Sequence, residues 1–580
     1  MRPEREGRQD AGDSFDRQLH ANEARLASGM SPAAAMAAYL DWFVHFMNSP
    51  GRQAKLVQDA ARQAIAFASY LGRAASGKET TPFVEPQPHD RRFTAPEWQN
   101  MPFAAIYQPF LLLEQFWHAA TSNVEGVTAH HLNMVDFAAR QFLDMMSPSN
   151  FPATNPEVLA EIRKTDGMNL VHGYQNFIED CQRALLGKSR AGAEQFCVGK
   201  EVAVTPGKVV YRNHLIELIQ YAPTTKTVRP EPVLIVPAWI MKYYILDLSP
   251  ENSMVKYLVD QGHTVFMISW RNPSEEDRNL GMDDYIDSGV FSALTAARKI
   301  VPDQKVHAVG YCIGGTLLSI AAAALARDGQ DWLCSLTLFA AQTDFTEAGE
   351  LMLFIDQSQV SFLEDMMWDK GYLDARQMVG AFQMLHTNDL VWSQVVHDYL
   401  MGERRPMIDL MAWNADATRM PYRMHSEYLR RLFLDNDLAE GHYIVGEGPV
   451  ALTDIRVPIF EVGAEKDHVA PWKSVYKINL LTETDVTFLL TSGGHNAGII
   501  SEPKHPHRHF RIATKAGGGP FVGPDKWITQ TPSQEGSWWP TWHGWLSEHS
   551  GNPIKAPAMG NQKADMAPIC DAPGTYVLEK

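Results

Sequence analysis

An α/β domain with a mostly parallel sheet, preceded by a helical domain, is the fold class this sequence predicts. Three observations predict it. From about residue 198 onward, short apolar runs alternate with helical segments, the pattern of a sheet covered by helices on both faces. The first 195 or so residues instead carry apolar residues at helical spacing. Between them in importance lies Gly310-Tyr-Cys-Ile-Gly314, a glycine-flanked turn set between an apolar run and a helix of small residues.

The elements follow in order. Residues 1–25 are polar and charged and read as a mobile tail, with no apolar stretch of a signal peptide at the start. Ser31 to Ala75 is Ala-rich, with Met36, Tyr39, Trp42, Phe43 and Phe46 on one helical face, read as core or partner-facing. Ser76 to Pro102 is a Pro-rich connector, and helical patterning resumes from Phe103 to Leu186. Strands are expected around the Pro206-Gly207 turn (202–211), then at 215–221, 233–237, 264–270, 306–310, 336–340, 458–462 and 486–490. Residues 346 to about 450 break this alternation with Met-, Trp- and Leu-rich helical text. An insertion of that size between late strands predicts a cap over the active site. The expected domains are therefore 1–195, helical, and 196–580, catalytic.

Composition excludes several classes. The chain has 580 residues, enough for two domains, and its 15 Trp and 26 Phe require a large core. Its net charge of −17 argues against nucleic-acid binding. The same charge means that an anionic substrate must be held by local basic groups. Five cysteines without a spaced framework indicate a reduced, cytosolic compartment and give no metal motif. No run of about 18 apolar residues predicts a membrane span.

Cys312 is the centre of the functional reading. G-x-C-x-G between strand and helix is the nucleophile elbow of the α/β-hydrolase fold with sulfur in place of oxygen. Thiolates are strong nucleophiles and good leaving groups, which suits thioester exchange. In this fold the acid and the base follow the nucleophile in the chain. His495, in Ser492-Gly-Gly-His-Asn-Ala-Gly498 directly after a strand, is the expected base. Asp467, after the preceding strand, is the expected acid; Asp344, after the strand that follows the elbow helix, is its competitor, with a loop hydrogen bond as the alternative role. The oxyanion hole is expected from the Ile313 N–H and from Trp239 or Ile240 in the loop Val236–Tyr243. The remaining cysteines lack flanking glycines, and Cys334 reads as core.

At this point the sequence resembles the polyhydroxyalkanoate synthases. The resemblance runs through Asp90-Arg-Arg-Phe93, Ser149-Asn-Phe-Pro-Ala-Thr-Asn-Pro156, Tyr243-Tyr-Ile-Leu-Asp-Leu248 and Ser269-Trp-Arg-Asn-Pro273. It continues through Gly310-Tyr-Cys-Ile-Gly-Gly315, Asn388-Asp-Leu-Val-Trp392, Trp413-Asn-Ala-Asp-Ala-Thr-Arg-Met-Pro421, Gly536-Ser-Trp-Trp-Pro540 and the tail from Ala572. Length and tail look most like class I, whose members act as homodimers. The resemblance implies polymerisation of (R)-3-hydroxyacyl-CoA into polyester with release of CoA, in the cytoplasm at the surface of polymer granules. It implies no cofactor, because CoA is part of the substrate and a product. Carried over, Cys312 bears the acyl group, His495 activates it, and Asp467 assists His495 or the substrate's 3-hydroxyl. Arg419, Lys242 and His468 are expected to help hold CoA, with structural ion pairs as the alternative.

Departures from the family pattern are Ala238 and Met241 in the entry loop, Ala470 after Asp467, Asn496 after His495, and a poor match before Glu85. They bear on pocket shape and acyl preference, not on the triad. A thioesterase or intracellular polyester depolymerase on the same scaffold is the rival reading, and a catalytically weak granule-bound paralogue is a second.

Overall fold

The computed structural model describes residues 11–26, 29–76, 81–87, 90–375, 377–378, 380 and 387–580. It divides into two compact units: Ala27–Ala191 with Val379–Met407, and Met1–Leu26 with Gly192–Met378 and Ile408–Lys580. The division falls between Ala191 and Gly192, and two segments group differently from the expected domains. The expected tail contains helix α1 (Ala11–Leu26), and the middle of the expected cap belongs with the helical unit. The first ten residues of the expected tail lie outside the described residues.

The helical unit holds α2 (Pro32–Met47), α3 (Pro50–Ala75), α4 (Ala104–Thr121), α5 (Ala129–Met145), α6 (Pro156–Lys164) and α7 (Met168–Leu185). Helix α2 starts where Ser31 Oγ accepts the Ala34 N–H and Pro32 opens the first turn. The face singled out in the sequence splits: Trp42 is buried and donates to Ala120 O at 3.1 Å, while Met36, Tyr39 and Phe43 are exposed. Asp90-Arg-Arg-Phe93 is structural. Arg92 bonds Asp90, Glu114 and Asp144, and Phe93 packs edge-on against Trp98. Residues 395–407 lie along α7 because Gly173 leaves room for the Tyr399 carbonyl. Asn169 and Asn176 bond the backbone of Leu400 and Asp398, and Arg404 bonds Asp180.

The other unit is built on an eleven-stranded sheet. In chain order its strands are β1 (Gly207–Arg212), β2 (Ile216–Tyr221), β3 (Val233–Val236), β4 (Val265–Trp270), β5 (Val306–Tyr311), β6 (Leu333–Phe339), β7 (Ile459–Ala464), β8 (Val486–Thr491), β9 (His509–Lys515), β10 (Ser533–Glu535) and β11 (Cys570–Asp571). Their spatial order is β10-β9-β8-β7-β6-β5-β3-β4-β2-β1-β11. The six central strands, β4 to β8 with β3 among them, are parallel; the outer pairs are antiparallel. Central strands such as Val-Leu-Ile-Val (233–236) are buried along their whole length, as helices on both faces require. β9 mixes charged and apolar residues, and β10 and β11 are only three and two residues long, so they carry too little pattern to be read from sequence. At the Pro-Gly turn only the strand after the turn forms.

Helix α8 (Ile313–Arg327) follows β5 and is buried along nearly all of its length. Between β6 and β7 the unit carries the outer parts of the cap, including α9 (Gln357–Lys370) and a π-helical stretch, Tyr428–Leu434. Helix α1 packs on α9: His20 Nδ1 lies 2.7 Å from Asp365 Oδ2, and the Arg17 guanidinium sits 5.3 Å from the Trp368 ring centre. Among the described residues no helix is long and apolar enough to cross a membrane.

Candidate active site

Cys312 stands between β5 and α8 with φ +54° and ψ −130°, a backbone position outside the regions open to most side chains. The surrounding glycines make this possible. A Cβ on Gly310 would meet the Gly315 Cα at 2.4 Å, one on Gly314 would meet the carbonyls of Val236 and Pro237 at 2.5 Å, and one on Gly315 would meet the Ala341 Cβ at 2.5 Å. The motif therefore records close packing of elbow, entry loop and the end of β6. The result is a half-buried thiol on a sharp turn.

The strands that follow bring the other two residues to it. Asp467 leaves the carboxyl end of β7 and is buried; its Oδ1 accepts the N–H groups of Val469 and Ala470 at 2.9 and 2.8 Å. Its Oδ2 lies 2.7 Å from His495 Nδ1. The Cys312 sulfur lies close enough to His495 to add to the pull of Asp467 on its proton. Burial opposes charge on the imidazole, but Asp467 and the Cys312 sulfur outweigh it and hold His495 well above its ordinary pKa. Asp344, the competitor, accepts from Thr346 N and Oγ1 at 2.8 and 2.6 Å and faces Lys477, the loop role set out as its alternative.

The loop bearing His495 is fixed from outside by a segment whose purpose the sequence did not disclose. Trp538 and Trp539 are fully buried, and their indole N–H groups donate to Gly498 O at 3.0 Å and Ile499 O at 2.9 Å. The Ser537 hydroxyl donates to Ser501 O. Asn496, one of the departures, accepts the Tyr311 hydroxyl at 2.6 Å, so the residue before Cys312 is tied to the residue after His495. In the segment between β6 and β7, burial raises the Tyr428 phenol's pKa, and the charge of Cys312 adds a smaller push in the same direction. No motif marks Tyr428 in the sequence; only the folding of the cap does.

The loop 237–242 runs beside the elbow and is anchored through its carbonyls. Trp270 Nε1 donates to Pro237 O at 2.8 Å, the Thr418 hydroxyl to Trp239 O, Thr418 N to Ile240 O at 3.3 Å and Trp413 Nε1 to Lys242 O at 2.7 Å. The Trp239 side chain packs between Trp270 and Tyr285. Ile313 opens α8, so its N–H has no acceptor within the helix.

Two of the three residues expected to meet CoA have hydrogen-bond partners within the chain. Lys242 is buried, and its ammonium donates to Val577 O at 2.7 Å and to Glu579 O. Arg419 donates to Lys580 O at 2.7 Å and Pro273 O at 3.1 Å and stacks on Tyr372. Both cations bond backbone carbonyls of residues 577–580, the structural role set out as their alternative. His468 is half-buried in the turn after Asp467.

Known proteins share this arrangement of sequence. Residues 89–258 match the model of the poly-beta-hydroxybutyrate polymerase N-terminus, and residues 11–52 match a second N-terminal model of the same polymerases. Residues 231–500 match the alpha/beta hydrolase fold. The poly(3-hydroxyalkanoate) polymerase of Methylorubrum extorquens is 40% identical over 532 residues, covering 91% of this chain and 86% of that protein. The chain belongs to the poly(3-hydroxyalkanoate) polymerases. The polymerase subunit of Cupriavidus necator is 37% identical over 501 residues, 85% of this chain and 83% of that one. Polymerase 2 of Ectopseudomonas oleovorans is 33% identical over 528 residues, 90% and 91% of the two. Membership of this polymerase family makes the chain an acyltransferase that forms poly(3-hydroxyalkanoate) from hydroxyacyl-CoA, and sets the hydrolase reading aside. The match at 11–52 also corrects the poor resemblance expected before Glu85 and covers all of helices α1 and α2.

Proposed function

We propose that this polymerase holds its growing chain as a thioester on Cys312, with His495 as the shared acid–base and Asp467 as its orienting carboxylate. The observation that carries the reading is the Asp467–His495 hydrogen bond, 2.7 Å, at the carboxyl ends of neighbouring parallel strands of the sheet whose elbow bears Cys312.

In the first half-reaction the Cys312 thiol passes its proton to His495, and the sulfur attacks the acyl-CoA carbonyl. The tetrahedral oxyanion accepts from the Ile313 N–H and from the N–H of Trp239 or Ile240. The C–S bond to CoA breaks, and the CoA sulfur takes the proton from His495. In the second half-reaction the 3-hydroxyl of an incoming hydroxyacyl-CoA gives its proton to His495 and attacks the Cys312 thioester. An ester forms and the cysteine sulfur leaves with that proton. The chain, one unit longer and now on CoA, returns to Cys312 with release of CoA. The apolar cap limits water, which would otherwise divert the thioester to hydrolysis.

The preferred unit is (R)-3-hydroxybutyryl-CoA, and the working form is a class I homodimer in the cytoplasm at the polymer granule surface. Class resemblance supports these finer assignments. The test supplies 3-hydroxybutyryl-CoA to purified protein and follows free CoA and product together. CoA release with insoluble polymer is expected. Release of free hydroxyacid alone would overturn the polymer-forming half-reaction, and turnover by Cys312→Ala would overturn the nucleophile.

A further inference from the structure

Residues 575–580 cross the sheet unit as a strap, and the groups that hold them are buried and charged. Glu217, fully buried on β2, accepts the N–H groups of Thr575 and Tyr576 at 2.8 and 3.0 Å and the Thr575 hydroxyl at 2.8 Å. Arg212 pairs with the same carboxylate at 2.5 Å. The Tyr576 hydroxyl donates to Asn213 O at 2.6 Å. Farther on, Glu579 accepts the Asn272 N–H at 3.0 Å, and Arg419 reaches Lys580. Between these points the Lys242 ammonium takes the carbonyls of Val577 and Glu579.

Lys242 is also the last residue of the loop 237–242, and its own carbonyl is fixed by Trp413. Lys242 thus joins two segments distant in sequence. A buried ammonium is stable only while acceptors surround it. If the strap leaves, Lys242 must turn toward water, and the loop end must follow.

We infer that residues 575–580 latch the loop that bears Trp239 and Ile240, with Lys242 as the positioning residue that transmits the hold. The inference rests on the proposed oxyanion role of that loop. The strap contributes no group to the chemistry. It sets where the loop N–H groups point when the tetrahedral oxyanion forms, so its loss acts on the chemical step and not on acyl-CoA binding.

The test uses the full-length enzyme, Lys242→Met, a chain ending at Gly574, and Gly574→Ala. In the last, the new Cβ would lie 2.3 Å from Glu217 Oε2 and so displaces the strap without touching the loop. Each variant is expected to lower kcat for 3-hydroxybutyryl-CoA by roughly ten-fold or more, with KM within about two-fold. Lys242→Met in the shortened chain is expected to add no further loss. Hydrogen exchange at the amides of residues 238–242 is expected to quicken in all variants, while the amides of Gly315 and Thr316, bonded to Cys312 O, stay protected and show that the fold is intact. Unchanged kcat, losses that multiply, or unchanged exchange at residues 238–242 would each overturn the latch. Turnover by Cys312→Ala would instead sink the acyl-cysteine reading, and the exchange measurement would still report on the latch.

Discussion

Asp467 Oδ2 sits 2.7 Å from His495 Nδ1, and the other carboxylate oxygen is fixed by two backbone N–H groups. The carboxylate is thereby aimed by the turn after β7 and in turn aims the imidazole. Asp467→Asn keeps the shape but removes the charge and the preference for one tautomer. Acyl transfer is expected to fall by about 10²–10⁴. The His495 pKa is expected to fall, because burial then faces only the weaker opposition of Cys312. The raised pKa also stabilises the fold. That contribution is complete below the ordinary value of 6.5 and is lost as pH rises through the higher folded value. The gap in melting temperature between wild type and variant should therefore be widest below pH 6.5 and close on the alkaline side. Imidazole titration by NMR and melting against pH check both; an unmoved His495 would exclude the pair.

The central strands, the elbow and the two later triad positions were legible because each has a local cause. Buried parallel strands must be apolar throughout, and a tight elbow needs glycine where backbones touch. What stayed unread was non-local. A lysine and an arginine near an active site look the same in sequence whatever carbonyls they bond, and here Lys242 and Arg419 bond those of Val577 and Lys580. The membership of residues 379–407 and the docking of α1 on α9 depend on partners hundreds of residues away, which periodicity cannot name.

Trp538 shows how a motif of unread purpose becomes a mechanical claim. Its indole N–H satisfies the Gly498 carbonyl three residues beyond His495, in a site closed to water. Trp538→Phe leaves the ring buried but orphans that carbonyl, at a cost of about 1–3 kcal/mol. The His495 loop is expected to loosen, lowering kcat by roughly ten-fold with little change in KM. Steady-state kinetics beside a thermal melt separates this from general destabilisation: equal losses in variants of the same melting temperature far from the loop would refute it.

Gly173 tests the assignment of residues 395–407 to the helical unit. A Cβ there would lie 1.8 Å from the Tyr399 carbonyl oxygen, too close for any rotamer to relieve. Gly173→Ala is expected to part the segment from α7 and to cost about 2–4 kcal/mol. Limited proteolysis should then cut within residues 387–407 faster than in the wild type. Unchanged cleavage would mean that the contact contributes nothing to holding the segment.

Glu461 carries the least expected charge in the sheet. It lies on β7 between Leu338 of β6 and Phe488 of β8, fully buried, and neither carboxyl oxygen has a hydrogen-bond partner of good geometry. Burial drives its pKa well above 4.5, against the weaker pull of the Ala341 N–H. The folded state therefore keeps a proton that the unfolded chain gives up. Stability from this group is complete below pH 4.5 and declines as pH rises toward the folded value. Glu461→Gln removes the titration while keeping the size. The variant is expected to melt higher than the wild type at pH 8, with the advantage shrinking to nothing near pH 4.5. A difference in melting temperature independent of pH would show instead that Glu461 is not held protonated in the fold.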